Sequence, residues 1–308
     1  GEVLLRAAEG LEAWPGYSSG RHDQPFSAQM TSLDATETDA DGNALVPVYL
    51  PMIEEPFRPL EARVTLRVAE GSGRPVERSV TKKLTPAETL IGVKPLFDGV
   101  APEGGEARFQ LIAVDQAEAL TDLAVKWTVV RVDYDYQWYQ SYGYWNWEPV
   151  VTRTPVAEGE ATLGSAPVEI AAKVDWGSYQ ILVERTDGGK SATSMEFYAG
   201  WYAPADVSAT PDTLELSLDK PAYKPGDTAM LRVVPRAAGT ALVTVLSNRL
   251  VAMQAVEVKE GENLIPLTVT DDWGAGVYVT VSALRPMDVA AGRNPARALG
   301  LTHATIDP

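Results

Sequence analysis

The tripeptide Asp-Trp-Gly occurs twice, at Asp175-Trp176-Gly177 and Asp272-Trp273-Gly274, 97 residues apart. Each runs straight into an alternating stretch with an early tyrosine, Ser178-Tyr179-Gln180-Ile181 and Ala275-Gly276-Val277-Tyr278-Val279. Two further landmarks lie upstream, Gly104-Gly105-Glu106-Ala107-Arg108-Phe109 and Lys224-Pro225-Gly226-Asp227-Thr228-Ala229-Met230, 121 residues apart at their central glycines. Self-similarity of this kind marks tandem copies of one small domain. A spacing of 121 against 97 leaves 24 extra residues inside the middle copy. One hydrophobic core rarely serves 308 residues, so the copies predict three units: 1–89, 90–205 and 206–308. The first has room for a copy that is incomplete at its start. Polar, proline-containing joints are expected at Thr85–Thr89 and across Ala203–Asp212.

Within the units the period is two. Ala62–Val68, Ala107–Ile112, Leu214–Leu218 and Val277–Val281 alternate apolar with polar residues. Turn signals recur every 8–12 residues, drawing on 25 Gly and 22 Pro. Gln116–Lys126 contains good helix formers but no 3.6-residue stripe, so a loop leading into a strand is favoured there. The fold class is all-β: three tandem antiparallel β-sandwiches of the fibronectin or immunoglobulin kind.

The composition excludes much chemistry. Without cysteine there is no disulfide, Cys zinc site, Fe–S cluster or thiol nucleophile. The two histidines, His22 and His303, lie near opposite ends. With 26 basic and 42 acidic residues the net charge is −16, which disfavours a phosphate backbone as partner. No run of about 18 apolar residues exists, so no membrane-inserting segment is expected. The start, Gly-Glu-Val-Leu-Leu, has no charged n-region, so the chain reads as a mature or internal segment. Nucleophile-elbow, dinucleotide and phosphate-loop motifs are missing. The acidic pairs Glu54-Glu55 and Asp271-Asp272 read as turn acids rather than glycosidase carboxylates. Asp39-Ala40-Asp41-Gly42-Asn43 starts like a calcium loop, but Ala44 and Leu50 stand where Gly and Glu are required, so a hairpin turn is expected. No catalytic, metal or cofactor site is expected.

The densest signal is aromatic. Eight of the 14 residues from Tyr134 to Trp147 are Tyr or Trp. Val129–Trp138 and Tyr144–Thr152 predict a hairpin about Gln140-Ser141-Tyr142-Gly143, the insertion near 133–152. The candidate interface residues are Tyr136, Trp138, Tyr139, Tyr144, Trp145 and Trp147. They either pack on a domain or stack on a sugar or protein partner. Each Asp-Trp-Gly is expected to be a turn whose Trp plugs its own core. In Leu218–Asp227, Tyr223 should pack down and Pro225-Gly226-Asp227 reverse the chain.

That segment, Leu218-Asp219-Lys220-Pro221-Ala222-Tyr223-Lys224-Pro225-Gly226-Asp227-Thr228-Ala229, carries a resemblance. With Gly239–Val245, Asp272–Thr280 and Arg297–Leu301, it resembles the region that opens the bait-region part of bacterial alpha-2-macroglobulins. The middle unit resembles the same family at Ile91–Gly99 and at Asp135–Tyr139 with Trp145 and Trp147. The first resembles it at Thr38–Gly42 and Arg58–Arg63. The resemblance implies consecutive macroglobulin-like β-sandwiches from the N-terminal half of a large periplasmic protease inhibitor, often lipid-anchored to the inner membrane. In such proteins a protease cuts a bait segment and is trapped as the molecule rearranges. Many also link it covalently through a Cys-Glu thioester. It further implies a non-catalytic scaffold that ends before the bait segment, with no thioester among its own residues. Its partners would be proteases, through the full-length protein, and neighbouring macroglobulin-like domains. The competing reading is a carbohydrate-binding or adhesin array that uses residues 134–147. Exposure of Tyr139, Trp145 and Trp147 distinguishes the two.

Overall fold

The structure, a computed structural model, describes residues 1–50, 53, 58–69, 73–142, 144–201, 210, 212–287 and 296–307, without the side chains of residues 138, 140 and 145. Strands account for nearly all regular structure, and no α-helix occurs among the described residues. The acidic pair 54–55 and most of the expected joint across 203–212 lie outside them.

The first unit contributes β1 (Glu2–Ala7), β2 (Ser18–Ser19), β3 (Gln29–Ser32), β4 (Leu60–Val68) and β5 (Val76–Leu84). Four of these make an antiparallel sheet of order β3-β1-β4-β5. Alternation turns Val3, Leu5, Leu60 and Ala62 to one face, where Phe26, Leu33 and Val64 pack on them. Asp39 forms the expected turn. Its carboxylate accepts from the Asp41 and Asn43 amides at 3.0 and 2.8 Å, and Gly42 takes φ 82°. The flanking residues are not strands, however, so this is an Asx turn in irregular chain and not a hairpin.

β2 leaves this sheet and pairs with the second unit's β6 (Leu90–Pro95). Around it, residues 8–24 form an arm across the second unit. Leu11, Trp14 and Tyr17 share one apolar cluster with Leu90, Ile112 and Val114. The Trp14 indole donates to the Glu118 carbonyl at 2.9 Å, and the Tyr17 hydroxyl to Gln110 at 3.1 Å. Gly20 N–H donates to Thr193 Oγ1 at 3.0 Å. Burying each large apolar side chain stabilises this joint by about 1.5–3 kcal/mol. The first joint is therefore a shared core plus a shared sheet.

The second unit continues with β7 (Gly105–Val114), β8 (Leu123–Ser141), β9 (Tyr144–Leu163), β10 (Val168–Val174), β11 (Gly177–Arg185) and β12 (Ala192–Ala199). Two sheets, β10-β7-β6-β2 and β12-β11-β8-β9, enclose Phe109, Val129, Leu163 and Ile181. The segment before β8 is a loop. Asp115 accepts from the Ala117 and Ala119 amides, both at 2.9 Å, which replaces helical bonding. β8 and β9 pair from Leu123–Leu163 out to Ser141–Tyr144, far beyond the rest of their sheet. At Gly159 the Trp127 ring comes so close that an added Cβ would lie 2.7 Å from it.

The third unit comprises β13 (Glu215–Leu218), β14 (Ala222–Tyr223), β15 (Thr228–Val234), β16 (Gly239–Leu246), β17 (Leu250–Val258), β18 (Asn263–Thr268), β19 (Gly276–Arg285) and β20 (Ala296–Ile306). Sheets β13-β15-β18 and β14-β20-β19-β16-β17 form its sandwich. Tyr223 is buried as expected, donating to Asp219 at 2.7 Å and accepting from Lys220 N–H at 3.1 Å. Gly226, at φ 95°, makes the reversal, and Asp227 N–H closes onto the Lys224 carbonyl.

The two Asp-Trp-Gly motifs diverge. Trp273 closes a 3-10 turn, Asp271–Trp273, and is 1% exposed in its core, as predicted. Trp176 does not plug its core and stands half-buried beside the third unit. The reason is occupancy: Phe97, Phe109, Phe197 and Tyr179 already pack ring against ring there, with Tyr179 stacked on Phe197 at 5.4 Å. A close-packed core has no room for another indole.

Candidate functional site

Leu231 and Val233 on β15 turn into the third unit's core, which aims Arg232 away from it. Such a position is normally solvated. Here Arg232 is 3% exposed, because the second unit covers it. Its guanidinium forks onto Glu103 of the second unit at 2.9 and 3.0 Å, while Nε donates to its own unit's Glu262 at 2.8 Å. It lies 4.1 Å from the Trp201 ring centroid and 5.5 Å from that of Trp176. Arginine suits this cage, since its flat fork meets a carboxylate edge-on and a ring face-on.

The rest of the joint is also polar. Arg131 donates to the Trp176 carbonyl at 2.9 Å and to Asp133 at 3.0 Å, which fixes the Trp176 turn. Across the joint the Tyr198 hydroxyl donates to Glu215 at 2.7 Å. Burial raises Glu215 above its usual 4.5, partly offset by Tyr198, Trp176 and Arg232, and burial likewise pushes the Tyr198 hydroxyl up. Beside them a cleft of about 430 Å³ runs between the units, with Asp133, Trp176 and Tyr198 on one wall and Glu215, Arg236 and Glu260 on the other.

The raised Glu215 gives a pH signature. A carboxyl that holds its proton more tightly when folded contributes stability below its unfolded value, and that stability is lost as pH rises through the folded one. Where Glu215 is ionised the buried charge is a cost, which Glu215→Gln removes. The advantage of the Gln variant in urea unfolding is expected to shrink as pH falls towards the usual carboxylate range. An advantage that does not depend on pH would contradict the assignment.

Of the sequence-predicted aromatics, Tyr136 meets the third unit, with the Arg236 guanidinium 4.5 Å from its ring centroid and Trp147 edge-on at 5.2 Å. Tyr139, Tyr144 and Trp147 are 44%, 76% and 37% exposed. The side chains of Trp138 and Trp145 lie outside the described set. Register places Tyr136 and Trp147 on one ribbon face, Tyr139 and Tyr144 on the other. The base of the hairpin thus touches its neighbour, whereas its exposed rings are divided between two faces. Sequence reasoning missed Arg232, Glu103, Trp201, Tyr198 and Glu215. Their only signal was a charge between two core residues, and such a charge ordinarily faces water.

His22 shows a different outcome. Its Nδ1 lies 2.7 Å from Ser194 Oγ and its Nε2 3.3 Å from Glu196. Ser194 is 3% exposed beneath the arm and accepts the His22 backbone N–H, so this trio serves the first joint. Among the described residues no cluster of His, Asp and Glu could hold a metal ion, and no helix is long and apolar enough to cross a membrane.

Three family models match the chain in succession: the bacterial alpha-2-macroglobulin MG5 domain over residues 1–86, bacterial macroglobulin domain 6 over 92–201, and the alpha-2-macroglobulin bait region domain over 214–308. The chain belongs to the bacterial alpha-2-macroglobulin family. It is 34% identical to the alpha-2-macroglobulin of Xylella fastidiosa strain Temecula1 over 96% of its own length and 18% of that protein's. The Escherichia coli K12 alpha-2-macroglobulin is 26% identical over 99% of this chain and 20% of that one. The chain thus spans about a fifth of the length of these relatives. The fold recurs in the native conformation of E. coli alpha-2-macroglobulin, with a TM-score of 0.60 and 23% identity over 100% of this chain and 21% of that one. It recurs also in Salmonella alpha-2-macroglobulin reacted with methylamine, with a TM-score of 0.55, 23% identity and the same coverage. The macroglobulin joint built on Arg232 therefore links domain 6 to the bait region domain.

Proposed function

We propose that the chain is a non-catalytic scaffold segment of a periplasmic alpha-2-macroglobulin-type protease inhibitor, of a kind often lipid-anchored to the inner membrane. The observation that carries this reading is the unbroken succession of the three macroglobulin models. The contrast between the two joints supports it. The first joint shares a core and a sheet, and so moves as one body. The second is held by charges and rings around a cleft, and such contacts release and re-form at little apolar cost. A protease that cuts the bait of the full-length polypeptide would let the bait region domain turn on this joint. The partners are then proteases and the neighbouring domains. Relatives fit this picture: E. coli alpha-2-macroglobulin has been solved activated by trypsin and activated by porcine elastase. Tyr139 and Trp147 are exposed, as a glycan-binding array would have them, and the Trp145 side chain lies outside the described residues, but such an array would need a single flat aromatic strip, and the register divides the exposed rings between two faces.

The test is small-angle scattering of the full-length polypeptide before and after trypsin. The radius of gyration is expected to fall while the chain stays folded. An unchanged radius after cleavage would overturn the inhibitor reading.

A further inference from the structure

We propose that residues 44–50 of the first unit are a proteolytic cleavage site for serine proteases that take an apolar residue before the scissile bond, and that the nicked chain stays assembled. The proposal does not rest on the inhibitor reading.

The segment is part of a strap between two anchors. Leu33 and Ile53 both pack on the first unit's core, and between them the chain crosses from β3 towards β4. Among the described residues the strap's backbone hydrogen bonds end with the Asp39–Asn43 turn. Beyond it, Ala44-Leu45-Val46-Pro47-Val48-Tyr49-Leu50 belongs to no strand. All but Val46 are exposed, Leu45 at 90% and Tyr49 at 76%. Large apolar side chains on unpaired backbone in water add nothing to the fold.

A protease binds its substrate as an extended strand, main chain to main chain, and seats one side chain in a specificity pocket. Most of this chain cannot be read in that way, because its backbone is already paired in sheets. The strap can. Its chemistry then selects the class of enzyme. No Lys or Arg occurs from His22 to Phe57, so a trypsin-like pocket finds nothing to hold. Small or hydrophobic pockets find Ala44, Leu45, Val48 and Tyr49. Pro47 and Pro51 protect the bonds before them, since proline brings a ring and no N–H. The bonds open to cleavage are Ala44–Leu45, Leu45–Val46, Val48–Tyr49 and Tyr49–Leu50. Hydrolysis adds one water across the bond and leaves a carboxylate on one side and an amine on the other.

The topology decides what the cut does. β3 and β4 each pair with β1 and not with each other, so opening the strap between them breaks no ladder. The N-terminal piece keeps β1 on β4, from Glu2–Thr65 to Ala7–Leu60, and β2 on β6. It also keeps Leu11, Trp14 and Tyr17 in their cluster with Leu90, Ile112 and Val114. Each large side chain buried there holds the piece by about 1.5–3 kcal/mol.

Limited proteolysis of the 308-residue chain tests this. Elastase and chymotrypsin should produce new N-termini at Leu45, Val46, Tyr49 or Leu50, read by mass spectrometry after denaturation. On gel filtration without denaturant the nicked chain should elute with the intact one. Leu45→Arg, at a 90% exposed position, should transfer the site to trypsin. Position 45 should then be cut at least about tenfold faster than Lys126, which is exposed but lies in β8 between two paired strands. Cleavage at position 45 no faster than at Lys126 would overturn the proposal. So would release of the N-terminal piece from the nicked chain on gel filtration. The full-length polypeptide should yield the same new termini. Their protection there would mean that another domain covers the strap, and would also overturn the site. None of these readouts depends on compaction, so failure here is distinct from failure of the inhibitor reading.

Discussion

Arg232→Ala is expected to uncouple the bait region domain from its neighbour and to lower the chain's stability by about 2–4 kcal/mol. The wild-type guanidinium is almost fully desolvated, so it depends on Glu103, Glu262 and the two indoles, with the Glu215 carboxylate nearby, for its compensation. Glu103 and Glu262 keep 35% and 47% of their side-chain surface, so water recovers part of the loss once the arginine is gone, and the larger fully buried figure does not apply. Arg232→Lys keeps the charge but neither the fork nor the stacking, and should restore less than half. A double-mutant cycle with Glu103→Gln isolates the contact, with an expected coupling of about 1–3 kcal/mol. Urea unfolding followed by Trp fluorescence should split into separate transitions once the domains no longer support each other. A loss under about 0.5 kcal/mol would make this an ordinary surface ion pair.

Trp273→Ala and Trp176→Ala, the same substitution in the same motif, should behave oppositely. Trp273 fills the third unit's core at 1% exposure, and truncating it leaves a cavity worth about 3–5 kcal/mol to that unit. Trp176 lies outside its own core, whose space the Phe and Tyr rings hold. Its truncation should cost the second unit less than about 1.5 kcal/mol, while reducing the Arg232–Glu103 coupling. Denaturant unfolding of each variant, with the cycle repeated on Trp176→Ala, checks both halves. Equal losses from the two tryptophans would mean that both plug cores.

The difference between these tryptophans also shows where the sequence was readable. Alternation located β4 and β19, each with one face in a core and one largely in water, and also β7 and β13, whose second faces are covered in part, Ile112 and Val114 by the arm and Glu215 at the second joint. Tyr223 and Trp273 were legible because turn chemistry and a large ring coincide within a few residues. The arm around β2 was not. Ser18-Ser19 has no strand signature, and it pairs only because Leu11, Trp14 and Tyr17 anchor the chain beside β6. Arg232 was invisible for a related reason. Its strand pattern sends it outward, and what lies outward is a neighbouring domain, whose Glu103 is 129 residues away in sequence. Local periodicity reports which face is covered by the chain's own sandwich. It carries nothing about a face covered by the next one. The aromatic hairpin stood out for composition, but only its register shows that one face meets Arg236 while the tip stays exposed.

On the proposed function, the joint between domain 6 and the bait region domain gives way when the full-length polypeptide is cut. Asp133→Cys and Glu260→Cys place one thiol on each wall of its cleft, to be bridged by bis-maleimides of graded length. The full-length polypeptide carrying both is cross-linked, exposed to trypsin and measured by small-angle scattering beside the uncross-linked form. The open form is expected to compact and the cross-linked form to keep its original radius. Full compaction with the joint locked would contradict it.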